Sequence, residues 1–244
     1  MKSGAPAWRK QKTMFHWQKP MPSNSPPESF AEQRRRMVEE QLKRRGIADA
    51  RVLAAMAAVP REAFVPSCYR QLAYEDRPLP IGFCQTISQP FTVAYMAQLL
   101  VLCGTENVLE IGTGSGYGAA VLSQLADRVH SVERIAELAR TSQARLQRLG
   151  YSNAAVHLAD GSRGLWREAP FDAIVVTAGA DSVPADYTDQ LAEGGRLVIP
   201  VGHTSADQRL YRLQRQAGQL EAKDFGSFAF VPLIREHPAD EAGE

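Results

Sequence analysis

The chain has 244 residues, 44% of them hydrophobic, with a formal net charge of +1. That supports one large α/β domain with a substantial core, and it argues against a protein drawn to nucleic acid or membrane by overall charge. The charge is uneven: residues 1–27 carry five basic side chains and no acidic one, leaving 23 basic against 27 acidic residues in the remainder. Three cysteines without a CxxC spacing argue against a zinc site or disulfide framework. They are expected to be buried free thiols of a reducing compartment. The longest apolar run, residues 91–103, is 13 residues long, too short for a membrane span. The first residues lack the apolar stretch of a secretory signal. The expectation is a cytoplasmic chain.

Residues 1–27 hold five of the fifteen prolines and read as a disordered basic extension. Trp8, Phe15 and Trp17 sit among its basic residues, so an RNA or membrane contact is the alternative to an inert arm. Residues 28–82 read as a helical cap. The spacing of Phe30, Met37, Val38 and Leu42 predicts a helix over Glu28–Arg45, stopped by Gly46. Asp49 is placed to N-cap a second helix, Ala50–Val59, which Pro60 ends. PREAFVP (Pro60–Pro66) is a short turn between prolines. A surface helix over Ser67–Arg77 and an extended PLPIG, Pro78–Gly82, follow. Ser88, just before Gln89-Pro90, reads as the N-cap of a helix over Phe91–Cys103.

From residue 107 the pattern alternates. Strands are predicted at Asn107–Ile111, Arg128–Glu133, Ala154–Leu158, Phe171–Thr177 and Arg196–Val201. Helices are predicted at 117–126, Ile135–Leu149 and Pro184–Ala192. Repeated βα units with continuous apolar strands imply a doubly wound, Rossmann-like parallel sheet covered on both faces. Gln208–Arg215 and Glu221–Leu233, around Gly218, read as a hairpin forming an antiparallel C-terminal edge. Residues 236–244 read as an acidic tail.

Val108–Gly118, VLEIGTGSGYG, joins a buried strand to a helix through Gly112, Gly114 and Gly116. Such a strand–glycine–helix junction presents bare backbone to a nucleotide-like ligand. Glu133 ends the next strand, 21 residues past Gly112, where a carboxylate can accept both hydrogen bonds of a ribose diol. Asp160-Gly161 ends the third strand and is placed to meet the exocyclic amine of a purine. A dinucleotide fingerprint would require glycine at position 117, where Tyr117 stands. Glu110, just before the loop, suits the ammonium and sulfonium of S-adenosylmethionine better than a pyrophosphate. A methyltransferase is therefore favoured over a dinucleotide enzyme.

VLEIGTGSGYGAAVLSQL, SVERI, FDAIVVTAGA, LAEGGRLVIPVG and FVPLI, with AAVPREAFVP and IGFCQTISQPFTVA upstream, resemble the protein-L-isoaspartate O-methyltransferases from about Ala31 to Ile234. The resemblance implies a single catalytic domain over 28–235, with the helical cap at 28–82 and the Rossmann-like core at 83–235. It implies transfer of a methyl group from S-adenosylmethionine to the free α-carboxylate of isoaspartyl residues in damaged proteins and peptides. The family is typically cytoplasmic and, in bacteria, commonly monomeric, with no nucleic acid, membrane or metal involved. The family's active-site serine falls on Ser88. Its cofactor contacts fall on Thr86, Ile87, Glu110, Gly112, Gly114, Gly116, Glu133, Asp160 and Gly161. Cys84 stands where members usually have glycine or a polar residue, and Ala159 replaces the usual glycine before Asp160. The nucleophile is a carboxylate already ionised at neutral pH, so His130, His157 and His203 read as structural or surface residues. The competing readings are a methyltransferase acting on a small molecule or RNA, and a non-catalytic module that uses the fold only to bind partners.

Overall fold

In the computed structural model, residues 28–234 are described; the expected arm at 1–27 and tail at 236–244 lie outside the described residues. Helix α1 (Phe30–Arg36) starts at a reciprocal capping box. The Glu32 backbone N–H donates to Ser29 Oγ at 3.3 Å, and the Ser29 N–H donates to Glu32 Oε2 at 2.8 Å. The helical path does continue to Arg45, but not as one α-helix. It widens to a π turn over Met37–Leu42 and tightens to a 3-10 turn over Lys43–Arg45 before Gly46, at φ +94°. The change of pitch carries Met37, Val38 and Leu42 together into the core. Helix α2 (Ala50–Ala58) begins at Asp49, whose carboxylate accepts from the Arg51 and Val52 N–H groups. The expected surface helix at 67–77 shrinks to a 3-10 turn, Ser67–Leu72, because Ala73 and Tyr74 turn inward and are buried.

Strands β1 (Leu79–Gly82) and β2 (Gln85–Ile87) form a separate antiparallel hairpin. Its tip, Phe83 and Cys84, has φ of +52° and +56°. Such a two-residue turn favours Asn and Gly. Cys68, Cys84 and Cys103 are all exposed, which corrects the expectation of buried thiols: each sits on a turn or connecting loop rather than on a core face. Cys84→Gly is expected to raise stability by about 1 kcal/mol, because glycine adopts the left-handed region without the Cβ penalty. A thermal melt checks this, and an unchanged or lower Tm would count against strain at the tip.

Helix α3 (Pro90–Leu99) is capped by Gln89, not by Ser88, and no side chain completes the cap. The first intrahelical bond runs from the Val93 N–H to the Gln89 carbonyl, while the Ser88 carbonyl accepts from Arg61 instead.

The main sheet has seven strands in the order β5-β4-β3-β6-β7-β8-β9. They are β3 (Asn107–Ile111), β4 (Arg128–Glu133), β5 (Ala154–Leu158), β6 (Phe171–Val176), β7 (Leu191–Val201), β8 (Arg209–Gln216) and β9 (Gln219–Ser227). The first five are parallel; β8 and β9 add the antiparallel edge. Helices α4 (Tyr117–Ser123), α5 (Ala136–Arg148) and α6 (Ala185–Asp189) follow β3, β4 and β6. Alternation along β3 divides the core: Val108 packs into one cluster, Leu109 and Ile111 into the other. Strand β7 starts earlier than expected, absorbing Gly194-Gly195 across a register shift against β6, and α6 is correspondingly shorter. Strand β9 stops at Ser227. Residues 228–234 leave the hairpin and return to the sheet, where the Gly179 N–H donates to the Val231 carbonyl at 2.8 Å and the Leu233 N–H to the Gly179 carbonyl at 2.7 Å.

The chain winds outward from β3 to β4 and β5, then crosses back to β6 on the other side. The reversal between β3 and β6 opens a crevice at the carboxyl ends of the strands.

Candidate active site

That crevice is a cavity of about 720 Å³, within the usual range for a small-ligand site. Thr86, Ile87, Ser88, Glu110, Gly112, Gly114, Glu133 and Gly161 all line it, so eight of the ten residues singled out from the sequence meet there. Gly116 and Asp160 do not line it. Gly116 lies beneath, starting α4 at φ +87°. The Asp160 carboxylate accepts from the Ser162 backbone N–H and Oγ, both at 2.9 Å, and so caps the turn Gly161–Arg163.

The glycine loop is held from below by Glu133. One carboxylate oxygen accepts from the Gly114 N–H at 2.9 Å, and the other from the Ile135 N–H at 2.9 Å. A carboxylate oxygen can accept more than one hydrogen bond, so each keeps capacity for a ligand hydroxyl. This latch is a role that the count from Gly112 did not reveal. Gly112 is required for a different reason: a Cβ there would lie 2.4 Å from Thr177 Oγ1, at φ +97°.

Glu110 is only 1% exposed. Ser131 Oγ donates to its Oε2 at 2.5 Å, and Thr113 Oγ1 lies 2.6 Å from Ser131 Oγ. Its other oxygen presses on the first turn of α4, where a Cβ added to Gly118 would sit 2.1 Å away. Burial pushes the Glu110 carboxyl up to about 8, against the Ser131 bond and with help from the nearby Glu133 charge. Between the ordinary glutamate value and 8 the folded chain therefore holds a proton that the unfolded chain has lost. The corresponding stability is complete below the unfolded value and lost as pH rises toward the folded one. The cofactor-free chain is expected to lose melting temperature between about pH 5 and pH 8 relative to a Glu110→Gln variant. His130 and His157, held below the ordinary histidine range chiefly by burial, act in the opposite direction, so the variant is the proper reference. Parallel melting curves for the two proteins would reject the assignment.

The opposite wall is built from two remote pieces of chain. Ser88 stands between β2 and α3, half-buried and facing the cavity. Residues 229–234 close the far side. Gln208 fixes them: its Oε1 accepts from the Phe230 N–H at 2.7 Å, and its Nε2 donates to the Phe230 carbonyl at 3.3 Å. His130 and His157 pack on each other, 3.1 Å between ring nitrogens, and His203 pairs with Asp181 at the surface. None of the three lines the cavity.

The family model for protein-L-isoaspartate(D-aspartate) O-methyltransferase matches residues 32–237. The chain belongs to the protein-L-isoaspartate O-methyltransferase family. A relative from Pelobacter propionicus, protein-L-isoaspartate O-methyltransferase 2, is 54% identical over 215 residues, covering 87% of this chain and 96% of its own. The Gloeobacter violaceus protein-L-isoaspartate O-methyltransferase is 51% identical, covering 84% of this chain and all of its own. A solved protein-L-isoaspartate O-methyltransferase superposes with a TM-score of 0.72 at 30% identity, over 82% of this chain and 65% of that longer one. A Plasmodium falciparum structure of the same family, in complex with S-adenosyl-L-homocysteine, gives 0.73 at 26% identity, over 83% and 99%. Within the family frame, the residues that sequence reasoning missed are Arg61, Thr113 and Ser131, together with the cavity-lining Thr177 and Arg134. All five lie in stretches that the sequence marks out, PREAFVP, VLEIGTGSGYG, SVERI and FDAIVVTAGA, but their side chains carry no spacing signal that singles them out.

Proposed function

We propose that this chain methylates the free α-carboxylate of L-isoaspartyl residues in damaged proteins and peptides, using S-adenosylmethionine, and so starts their repair through a succinimide. The observation that carries the reading is that the Ser88 segment and the glycine loop share one cavity. An acceptor held on one wall can meet a donor held on the other.

The residues present suit the donor. Gly112 and Gly114 would offer it bare backbone, with Thr86 and Ile87 lining the same cavity, while Gly116 starts α4 beneath them. Glu133 would accept from the ribose hydroxyls with its remaining acceptor capacity. Gly161, with Asp160 behind it, would border the purine. Glu110 would face the cationic amino-acid portion. When bound, S-adenosylmethionine supplies an electrophilic methyl group on a sulfonium.

The acceptor carboxylate needs no general base, since its ordinary pKa is near 4. The protein's work is orientation: aligning oxygen with the methyl carbon supplies about 7–11 kcal/mol in favourable cases. Ser88 donates its hydroxyl to the carboxylate and fixes which oxygen points inward. The transfer would cancel the opposite charges of carboxylate and sulfonium, so the wall that residues 229–234 add to the cavity would favour it by limiting water. The nitrogen of the following backbone amide then attacks the ester carbonyl, methanol leaves with the amide proton, and the resulting succinimide hydrolyses off the enzyme.

We read residues 28–235 as one catalytic domain acting as a cytoplasmic monomer on polypeptide substrates, without nucleic acid or membrane. Among the described residues no helix is long and apolar enough to cross a membrane. The test is methyl transfer to an isoaspartyl peptide and to its aspartyl twin. Methylation of the first alone is expected; equal methylation of both, or of neither, rejects the reading.

A further inference from the structure

Arg61 is fully buried, on the short turn Arg61–Ala63 that follows Pro60. Its guanidinium spans three elements. Nε donates to the Ala73 carbonyl at 2.7 Å, and Nη2 donates to the Ser88 carbonyl at 2.7 Å. The guanidinium carbon lies 4.8 Å from the centre of the Tyr117 ring. Ala73 belongs to the helical cap, Ser88 to the acceptor wall, and Tyr117 to the first turn of α4 behind the glycine loop. Both hydrogen bonds go to neutral carbonyls rather than to a carboxylate. A buried cation held this way is expensive to desolvate, and burial pushes the guanidinium below its ordinary range. The position is therefore poorly explained as a plain stabilising contact.

The link to Ser88 is specific. Helix α3 takes its first backbone bond from Gln89, so the Ser88 carbonyl is left outside the helical ladder. Arg61 supplies its donor. Without that bond the peptide plane after Ser88 is free to turn, and the Ser88 side chain turns with it. Lysine cannot replace the contact, because a single ammonium cannot reach two carbonyls in a planar fork while stacking on a ring.

We infer that Arg61 is a positioning residue for the acceptor: it locks Ser88 in register with the glycine loop, so that the serine hydroxyl holds the substrate carboxylate in line with the methyl group. This rests on the isoaspartyl reading above.

The test is a double-mutant cycle on the full chain, with Arg61→Met and Ser88→Ala singly and together. Peptide kcat/KM is measured at saturating S-adenosylmethionine, and S-adenosylhomocysteine binding by calorimetry, both well below each variant's Tm. Arg61→Met is expected to cost about 30-fold in peptide kcat/KM, with S-adenosylhomocysteine affinity held within about threefold. In the Ser88→Ala background the same change is expected to cost little more, because the group through which Arg61 acts is gone. Arg61→Lys, which keeps the charge but loses the fork, is expected to behave like Arg61→Met, and it replaces that variant in the cycle if Arg61→Met does not fold. Additive costs overturn the inference, as does an equal loss of S-adenosylhomocysteine affinity or wild-type turnover in Arg61→Lys. If the wild-type chain fails to discriminate isoaspartyl from aspartyl peptide, the functional reading fails and this inference with it. If it discriminates and the cycle is additive, only the role of Arg61 fails.

Discussion

Glu133→Ala is expected to weaken S-adenosylhomocysteine binding by about 100-fold, equivalent to about 3 kcal/mol. The magnitude follows from two uses of one side chain. Its oxygens accept from the Gly114 and Ile135 N–H groups at 2.9 Å, and hydrogen bonds to a charged group contribute about 1.5–3 kcal/mol each. The residue is also only 6% exposed. Removing the carboxylate loosens the glycine loop and takes away the ribose acceptor in one change. Glu133→Gln keeps one carbonyl acceptor and is expected to fall between the two. Isothermal calorimetry reads the outcome directly, and an alanine variant that binds within a few-fold of wild type would remove the assignment.

Ser88→Ala is expected to divide the two substrates the other way. Turnover of an isoaspartyl peptide should fall by about 10–100-fold, as loss of one orienting donor does elsewhere, while S-adenosylhomocysteine affinity stays unchanged. Stability should also stay close to wild type, since Ser88 caps no helix: Gln89 occupies that position. A sequence reading of Ser88 as an N-cap carries the opposite expectation, a loss of about 1 kcal/mol of helix stability. One melt and one rate measurement therefore separate the two roles. Unchanged turnover would sink the catalytic one.

The parallel sheet and the glycine loop were legible because their signals are local. A run such as FDAIVV, short and ending in β-branched residues, reads as a strand buried on both faces, and glycines at 112, 114 and 116 follow immediately on VLEI. Glu133 was found by counting from Gly112, since strand lengths in such units vary little. What stayed hidden depends on partners far along the chain. The burial of Glu110 follows from how closely Gly118 brings α4 to the strand end, which no spacing encodes. Ser88-Gln89-Pro90 has every local mark of a helix cap, but a guanidinium 27 residues upstream competes for the Ser88 carbonyl. The pitch change after Arg36 likewise reflects which side chains the core accepts, not the propensities of the helix. The cysteines were misjudged for a simpler reason: composition speaks for averages, and these three fall on turns.

The return of residues 228–234 to the sheet bears on when the protein becomes active during its synthesis. Strand β3 and the glycine loop leave the ribosome before their neighbours β4 and β6, which complete the donor wall. The acceptor wall is finished only when residues 229–234 reach Gly179 and Gln208. A nascent chain thus carries no complete reaction chamber until almost all of its domain has emerged.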